Sequence, residues 1–296
     1  MNATEKRAAL ATAVRSGKIV VAAGVYDMIS AKVADRIGFM ALYMTGYGVA
    51  ASHLGLPDAG IATYTDVVER VRRIAGGTGT PLICDADTGF GGLLNVKYTI
   101  EGFEDAGCSA IQIEDQEIPK KCGHTPGRRV VPVEDMVDKI RVAVDSRKDP
   151  NFLIIARTDS RTTLGLDEAL SRGKAFHEAG ADVVFVESPE SEEELAAVGK
   201  AFPGIPLLAN MSDFGKTPIL PADKLEELGF AISIFPGLSF LAAAGALDSA
   251  YRTLLAEGTS DNVTVPRLSL PEMHKLMGFE EVWEFEKRYA RPEAAE

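Results

Sequence analysis

Eight short apolar, β-rich runs alternate with amphipathic helical stretches along this chain, and that alternation predicts a (β/α)8 barrel. The runs are almost continuously hydrophobic, as parallel strands covered on both faces are. The first ends in GVYDMIS, without the Gly-rich phosphate turn of an open doubly wound sheet, which more often stops at about five or six strands. A length of 296 residues suits one barrel as a single domain.

Taken in order, the strands are expected at 19–27, 41–47, 81–87, 110–115, 152–159, 182–188, 206–211 and 231–236. Between them the patterns ISAKVADRIG, TDVVERVRRIA, NVKYTIEGFEDAG, VEDMVDKIRVAVDSR, LDEALSRGKAFHEAG, SEEELAAVGKAF and PADKLEELGF have helical periodicity. Gly38, Gly107, Gly180 and Gly229 close four of them, where a helix C-terminus needs a residue at positive φ. The run LSFLAAAGALDSAYRTLLAEG follows the eighth strand, and SLPEMHKLMGFEEVWEFEKRYA, with the single tryptophan Trp283, adds a further helical segment. The barrel is thus expected over about 19–257 and a helical extension over about 268–290. An apolar helix beyond a closed barrel needs a surface to cover, so a subunit interface is expected there. The closing RPEAAE reads as disordered.

Composition narrows the function. Hydrophobic residues at 46% and charged residues at 25% are ordinary for a globular domain, and no apolar run approaches the roughly 20 residues needed to span a membrane. The first residues lack the apolar core and small-residue cleavage pattern of a secretory signal. Three cysteines at irregular spacing argue against a disulfide framework and for a reducing, cytoplasmic setting. A net charge of −12 and a pI near 4.9 argue against binding to a phosphate backbone, so no nucleic acid and no membrane partner is expected.

The strand ends carry the chemistry. Catalytic groups of a barrel sit at the C-terminal ends of its strands. Those ends read Tyr26 and Asp27; Thr45, Gly46 and Tyr47; Asp85 and Asp87; Glu114 and Asp115; Arg157 and Asp159; Glu187; and Asn210. So many ionisable or amide groups at the ends of buried runs are hard to explain by folding alone, because unpaired buried charge is costly. Asp85, Asp87 and Glu114 make an oxygen-only cluster with no His or Cys suited to zinc, and hard carboxylate ligands suit Mg2+ or Mn2+. Asp58, in GLPDAG, is a further candidate around that metal. A divalent ion beside Arg157 implies a small carboxylate-bearing substrate with an adjacent hydroxyl or carbonyl.

One loop stands apart in this acidic chain. Pro119–Arg129 (PKKCGHTPGRR) puts Cys122 and His124 two residues apart among Lys120, Lys121, Arg128 and Arg129. Its glycines and prolines exclude a regular element, and nearby cations lower a cysteine's pKa. A mobile loop delivering Cys122 as proton carrier is expected, its cations attracting a di-acid and favouring the thiolate. Together with the metal cluster and Arg157, this describes retro-aldol (retro-Claisen) cleavage of a 2-hydroxy acid. Cys84 and Cys108 read as packing, and His53, His177 and His274 as loop or helix-surface residues.

The motifs DADTGFGG, IEDQ, KKCGH, ARTD, VES and LANM, in this order at successive strand ends, resemble the isocitrate lyase and phosphoenolpyruvate mutase superfamily from about Arg15 to Tyr289. The resemblance implies a (β/α)8 barrel whose last helix is swapped between neighbours in a homotetramer. It implies Mg2+ (or Mn2+), with Asp85 as the direct ligand and Asp87, Glu114 and Asp58 acting mostly through water. Substrate contacts would come from Tyr43, Thr45, Gly46, Tyr47, Gly123, Arg157, Glu187 and Asn210, and catalysis from Cys122 with Lys121, His124, Arg157, Glu187 and Tyr43. Tyr43 and Glu187 both stand as general-base candidates. KKCGH marks the lyase branch, since phosphonate mutases and oxaloacetate decarboxylase-like members lack this cysteine. Methylisocitrate lyases typically read Ser-Gly-Gly after the second strand and KRCGHR in the loop. Here Thr45-Gly46-Tyr47 and KKCGHTPGRRVV look more like lyases of 2-alkylmalates such as 2,3-dimethylmalate, which give pyruvate and a carboxylate. Tyr47 in place of glycine leaves less room for a tricarboxylate, whereas Glu187 agrees with the tricarboxylate enzymes as well. The alternatives are therefore methylisocitrate cleavage to pyruvate and succinate, hydrolysis of oxaloacetate and, more remotely, phosphonate mutation or a binding barrel without turnover.

Overall fold

The structure, a computed structural model, describes residues 1–123, 125 and 127–290. Two compact units divide the chain, Met1–Phe240 and Leu241–Glu296.

In the first unit eight parallel strands close on themselves in sequence order: β1 (Val20–Val25), β2 (Ala41–Met44), β3 (Leu82–Asp85), β4 (Ala110–Glu114), β5 (Leu153–Thr158), β6 (Val183–Val186), β7 (Leu207–Asn210) and β8 (Ile232–Phe235). The last strand returns to the first, with Val20 opposite Ile232 and Ala22 opposite Ile234. Each predicted run reaches past its strand by up to three residues, because the apolar pattern continues into the turn after pairing has stopped.

The helices are α1 (Ala3–Val14), α2 (Met28–Ile37), α3 (Gly46–Val49), α4 (Tyr64–Gly77), α5 (Leu93–Asp105), α6 (Val133–Ser146), α7 (Arg161–Leu164), α8 (Leu166–Glu178), α9 (Glu192–Ala201), α10 (Ala222–Glu227) and α11 (Leu238–Glu257). A π-helical turn, Ala50–Leu54, extends α3. All seven predicted crossover helices are present. The four glycines that close them have φ between 94° and 107°, in the left-handed region open to glycine.

Alternation along the strands sorts the core into an inside and an outside. Ala41 and Tyr43, Ile83, Ala110, Leu153 and Ile155, Val183 and Phe185, Leu208, Ile232 and Ile234 form one cluster inside the barrel. Leu10, Ala11 and Val14 of α1 join it and close the N-terminal end. Two outer clusters pack the other strand faces beneath the helices. Helix α1 was not among the predicted helices. Its short apolar stripe is anchored by buried cations instead, with Lys6 Nζ donating to Ala75 O at 2.8 Å and Arg7 Nε to Cys108 O at 3.0 Å.

The second predicted strand needs correction. Pairing stops at Met44, and Thr45 caps α3, whose first residues are Gly46 and Tyr47. Thr45 to Tyr47 therefore form a helical turn over the strand end.

In the second unit α12 (Leu270–Met277) opens on a Ser269–Glu272 capping box and meets α13 (Phe279–Tyr289) at Gly278, φ 82°. The His274 and Phe279 rings lie 4.6 Å apart, and Trp283 meets His274 edge-on. Phe279, Val282, Trp283, Phe285 and Tyr289 remain exposed.

Candidate active site

The period of two that places Ile83, Ile155, Phe185 and Leu208 inside the barrel also directs Asp85, Arg157, Glu187 and Asn210 inward at the next position up. The C-terminal mouth of the barrel thus receives polar groups from five or more strands, and they divide into two flanks.

Carboxylates dominate the first flank. Asp85 Oδ1 accepts from Gln112 Nε2 at 3.3 Å and from the Asp87 amide at 3.1 Å, and Oδ2 accepts from Gly46 N at 3.3 Å. A Cβ at residue 46 would meet that Oδ2 at 2.8 Å, so glycine there makes room for the carboxylate. Asp87 holds φ 49°, a strained value for a residue with a Cβ, and its carbonyl accepts from Glu114 N at 2.9 Å. Lys120 Nζ lies 2.7 Å from Asp87 Oδ1 and also pairs with Asp58. Burial alone would lower the Lys120 ammonium; Asp87, Glu114, Asp58 and Asp85 together hold it well above its usual range. Burial pushes Asp87 up to about 6 despite Lys120, with Asp85 and Asp58 adding to the rise, and burial raises Glu114 well above the carboxylate range.

Four carboxylates, Asp58, Asp85, Asp87 and Glu114, thus face a single ammonium. Among the described residues no three His, Cys, Asp or Glu side chains converge closely enough to encircle an ion. The donor set still fits a hard divalent cation that keeps most of its waters, because Mg2+ takes only one or two direct carboxylates. Such an ion would favour the ionised forms of Asp87 and Glu114, which burial first and neighbouring carboxylates second disfavour.

Guanidinium groups dominate the second flank. Arg157 donates from Nε to Asp159 Oδ2 at 2.9 Å and from Nη2 to Oδ1 at 2.8 Å. It lies over the Phe185 ring at 5.2 Å, 3.4 Å from Glu114 Oε2 and 3.5 Å from Glu187 Oε2. Glu187 accepts from Asn210 Nδ2 at 3.1 Å and from Ser188 Oγ at 3.0 Å. Burial alone would raise Asp159, but Arg157 first and then Arg128 hold it below the usual range.

The loop after β4 lies against both flanks. Cys122, half-buried, donates its backbone N–H to Asp58 O at 3.2 Å. Gln116 ties the loop base to the site, donating to Glu114 Oε1 at 2.9 Å and Lys121 O at 2.8 Å. A Cβ at Gly123 would meet Arg157 Nη2 at 2.5 Å, so the loop backbone comes right up to the guanidinium. His124 lies outside the described residues. Each described cation of the loop has a partner. Lys120 pairs with Asp58 and Asp87, Arg128 with Asp159, and Arg129 with Glu117 at 2.7 Å, while Lys121 Nζ donates to Gly127 O at 2.9 Å on the surface. The ammonium in the site is that of Lys120, not Lys121.

Tyr43 lies deeper than expected. Its hydroxyl donates to Gln112 Oε1 at 2.9 Å, and burial, with Asp85 adding, raises it well above its usual range. Tyr47 is partly exposed and packs on Phe240 at 5.1 Å. Residue-type reasoning missed Gln112 as a member of the site; Asp159 stood among the strand-end groups, and Lys120 and Arg128 among the loop cations, without the partners the structure gives them. Gln112 had a signal, an amide at an inward position of an apolar strand.

Residues 10–255 match the family model described as phosphoenolpyruvate phosphomutase. The chain belongs to the phosphoenolpyruvate mutase/isocitrate lyase superfamily. Over 273 residues it is 49% identical to a 2,3-dimethylmalate lyase of Eubacterium barkeri, covering 92% of this chain and 94% of that one. It is 42% identical over 278 residues to a 2-methylisocitrate lyase of Aeropyrum pernix, covering 92% and 86%. Among solved structures, oxaloacetate acetylhydrolase with 3,3-difluorooxalacetate superposes with TM-score 0.92 at 32% identity, covering 98% and 99%. A 2,3-dimethylmalate lyase superposes with TM-score 0.90 at 37% identity, covering 98% and 96%. Phosphonopyruvate hydrolase complexed with oxalate and Mg2+ superposes with TM-score 0.88 at 32% identity, covering 98% and 100%. With named lyases related over nine-tenths of its length, this superfamily member is a carbon–carbon lyase.

Proposed function

We propose that the protein cleaves a 2-alkylmalate of the 2,3-dimethylmalate kind to a 2-oxo acid, pyruvate, and a carboxylate, with Mg2+ or Mn2+ as cofactor. The observation that carries this reading is the loop thiol. Cys122 is tied through its backbone to Asp58, at the edge of a buried mouth with an acid-rich and a guanidinium-rich flank. The 49% identical 2,3-dimethylmalate lyase supports the substrate class, and the phosphonopyruvate hydrolase complex supports the metal.

Asp85 would hold the ion directly, with Asp87, Glu114 and Asp58 around its waters. When bound, the ion supplies stabilisation of charge developing on the substrate's 2-oxygen. Arg157 binds a substrate carboxylate, and Asn210, Thr45 and the Gly46 and Gly123 backbones frame the rest. Glu187 takes the 2-hydroxyl proton, a role Tyr43 is poorly suited to because its own proton is held by burial and by Gln112. The bond between C2 and C3 breaks, its electron pair stays on C3 as a carboxylate enolate, and the Cys122 thiol gives C3 its proton. Burial of Arg157, Glu114 and Glu187 excludes water while the enolate exists.

The test is a coupled pyruvate assay across 2-alkylmalates and 2-methylisocitrate, with and without EDTA; absence of 2-oxo acid from every acid would sink the reading. Cys122→Ser is expected to lower kcat by about 10²–10⁴-fold with substrate binding retained. Superposition on oxaloacetate acetylhydrolase favours a second reading, hydrolysis of oxaloacetate, which direct measurement of released oxalate separates from cleavage to pyruvate.

The exposed aromatic side chains of α13 support a homotetramer in which the C-terminal helices are exchanged between copies. Light scattering should then give four times the chain mass of 31.6 kDa. No helix of the described residues is long and apolar enough to cross a membrane, and three cysteines that form no disulfide with one another support a reducing, cytoplasmic setting.

A further inference from the structure

Arg128 is the anomaly of the loop. Lys121, Thr125, Gly127 and Arg129 around it are exposed, yet Arg128 itself is 2% exposed, the largest fully buried side chain among the described residues. Arginine is almost never buried this deeply without a paired charge. Its Nη1 lies 2.5 Å from Asp159 Oδ1, and its Nη2 donates to Thr162 Oγ1. The same Asp159 Oδ1 accepts from Arg157 Nη2 at 2.8 Å, while Asp159 Oδ2 takes Arg157 Nε at 2.9 Å. One carboxylate therefore holds the guanidinium of the barrel wall with two bonds and pins the loop with a third.

Asp159 is itself rigidly mounted. Its amide donates to Asp115 Oδ1 at 2.8 Å, and Asp115 Oδ2 accepts from Thr158 Oγ1 at 2.8 Å and pairs with Arg172 at 3.2 Å. The loop reaches Arg157 a second way, through Gly123, whose backbone crowds Nη2 and whose carbonyl accepts from Ser188 Oγ at 3.3 Å. Both contacts bear on one guanidinium.

We infer that Asp159 is a positioning residue that couples seating of the 117–131 loop to alignment of Arg157: insertion of Arg128 completes the carboxylate's hydrogen-bond set and fixes the plane in which Arg157 presents itself to a substrate carboxylate. Arg128 and Asp159 act through Arg157 and touch no reacting atom. The inference rests on the reading of Arg157 as the carboxylate-binding group.

The experiment uses the full-length enzyme with Mg2+ and oxalate as a probe dianion. Calorimetry gives oxalate affinity, tryptic cleavage after Lys121 gives loop opening, and steady-state kinetics gives KM and kcat. Arg128→Gln is expected to bind oxalate about tenfold more weakly, to be cut faster and to raise KM more than it lowers kcat. Arg128→Lys should recover part of each effect. Thr162→Val, which leaves both charges in place, should move the same readouts in the same direction by less, and it decides the matter if Arg128→Gln does not fold. Asp159→Asn should match Arg128→Gln, and the double variant should lose no more than the worse single one, the signature of a shared element. Additive losses, or oxalate affinity unchanged in both Arg128→Gln and Thr162→Val, would overturn the coupling and leave Arg128 a structural tether. If the unsubstituted enzyme does not bind oxalate, the dianion reading of the site fails instead. Loop cleavage then still decides the inference, since equal rates in Asp159→Asn and the unsubstituted enzyme would refute it.

Discussion

Two buried cation–carboxylate clusters lie side by side at the mouth of the barrel, and they are built in different proportions. On one side four carboxylates, Asp58, Asp85, Asp87 and Glu114, share the ammonium of Lys120. On the other, two guanidiniums, Arg128 and Arg157, share Asp159. Burial raises both carboxyls, but the outcome differs: Asp87 is pushed up to about 6 despite Lys120, whereas Arg157 and Arg128 hold Asp159 below its usual range. On the first flank carboxylates outnumber the ammonium, whereas on the second the guanidiniums are matched by Asp159 and Glu187, with Glu114 reached by Arg157 across the seam. A metal-assisted site for a dicarboxylate needs that division, since cation and anion must bind in contact without neutralising the protein's own groups first.

The sharpest way to break the comparison is to remove the central cation of each flank. Arg157→Met leaves Asp159, Glu114 and Glu187 without their main partner and is expected to cost about 3–5 kcal/mol in urea unfolding, with or without metal. Lys120→Met should be comparably unstable in EDTA. At one fixed Mg2+ concentration it should then recover more of its lost stability than Arg157→Met does, because the ion takes over the charge of the missing ammonium. Equal rescue of both variants by Mg2+ would erase the distinction between the flanks.

This division was only half legible in the sequence. Asp85, Arg157, Glu187 and Asn210 could be read off because each ends a run whose apolar partner two residues earlier lies inside the barrel, and Glu114 because it ends the same kind of run, above the inward amide of Gln112. The barrel itself was legible for the same reason, as strand after strand repeated one pattern. Lys120 was hidden inside a loop with no periodicity, where nothing in KKCGH says which lysine turns inward. Arg128 was hidden more completely, since a Gly- and Pro-flanked arginine in a basic loop is ordinarily solvated, and only the position of Asp159 explains its burial. Helix α1 escaped because its helix-forming residues bury few apolar groups and anchor through Lys6 and Arg7 to carbonyls distant in sequence.

Titration should separate the flanks next. The folded-state value of Asp87, about 6, lies above its ordinary 3.8, so the metal-free fold holds a proton that the unfolded chain has released across that window. Its contribution therefore favours the folded state at low pH and is lost as pH rises from about 4 through about 6, on the order of 2–3 kcal/mol. Asp115, also raised to about 6 chiefly by burial, has the same sign. A cation must displace the Asp87 proton, so Mg2+ affinity should fall by up to about tenfold per pH unit below about 6. Stability curves with and without saturating Mg2+ should differ through Asp87 and Glu114 and not through Asp115, because Asp115 faces Thr158, Asp159 and Arg172 rather than the acid-rich flank. Mg2+ affinity independent of pH between about 5 and 7 would remove Asp87 from the ion's surroundings.

The smallest expected effect tests the seam between the flanks. Tyr43 Oη donates to Gln112 Oε1, and Gln112 Nε2 donates to Asp85 Oδ1, so the phenol orients an amide that orients a carboxylate. Tyr43→Phe keeps the ring that packs inside the barrel and deletes only the hydroxyl, leaving Gln112 Oε1 short of a donor in a dry interior. A loss of about 1–3 kcal/mol in stability is expected from the unsatisfied acceptor. Turnover should fall less than about tenfold, because Asp85 keeps the Asp87 and Gly46 amides as partners. A phenol acting as the base would behave otherwise. Removing it would lower kcat by about 10²–10⁴-fold, and the pH–rate profile would lose its base limb. The burial and carboxylate neighbours that raise Tyr43 hold its proton on the oxygen across the range in which such an enzyme works, so the modest loss is the outcome the geometry requires.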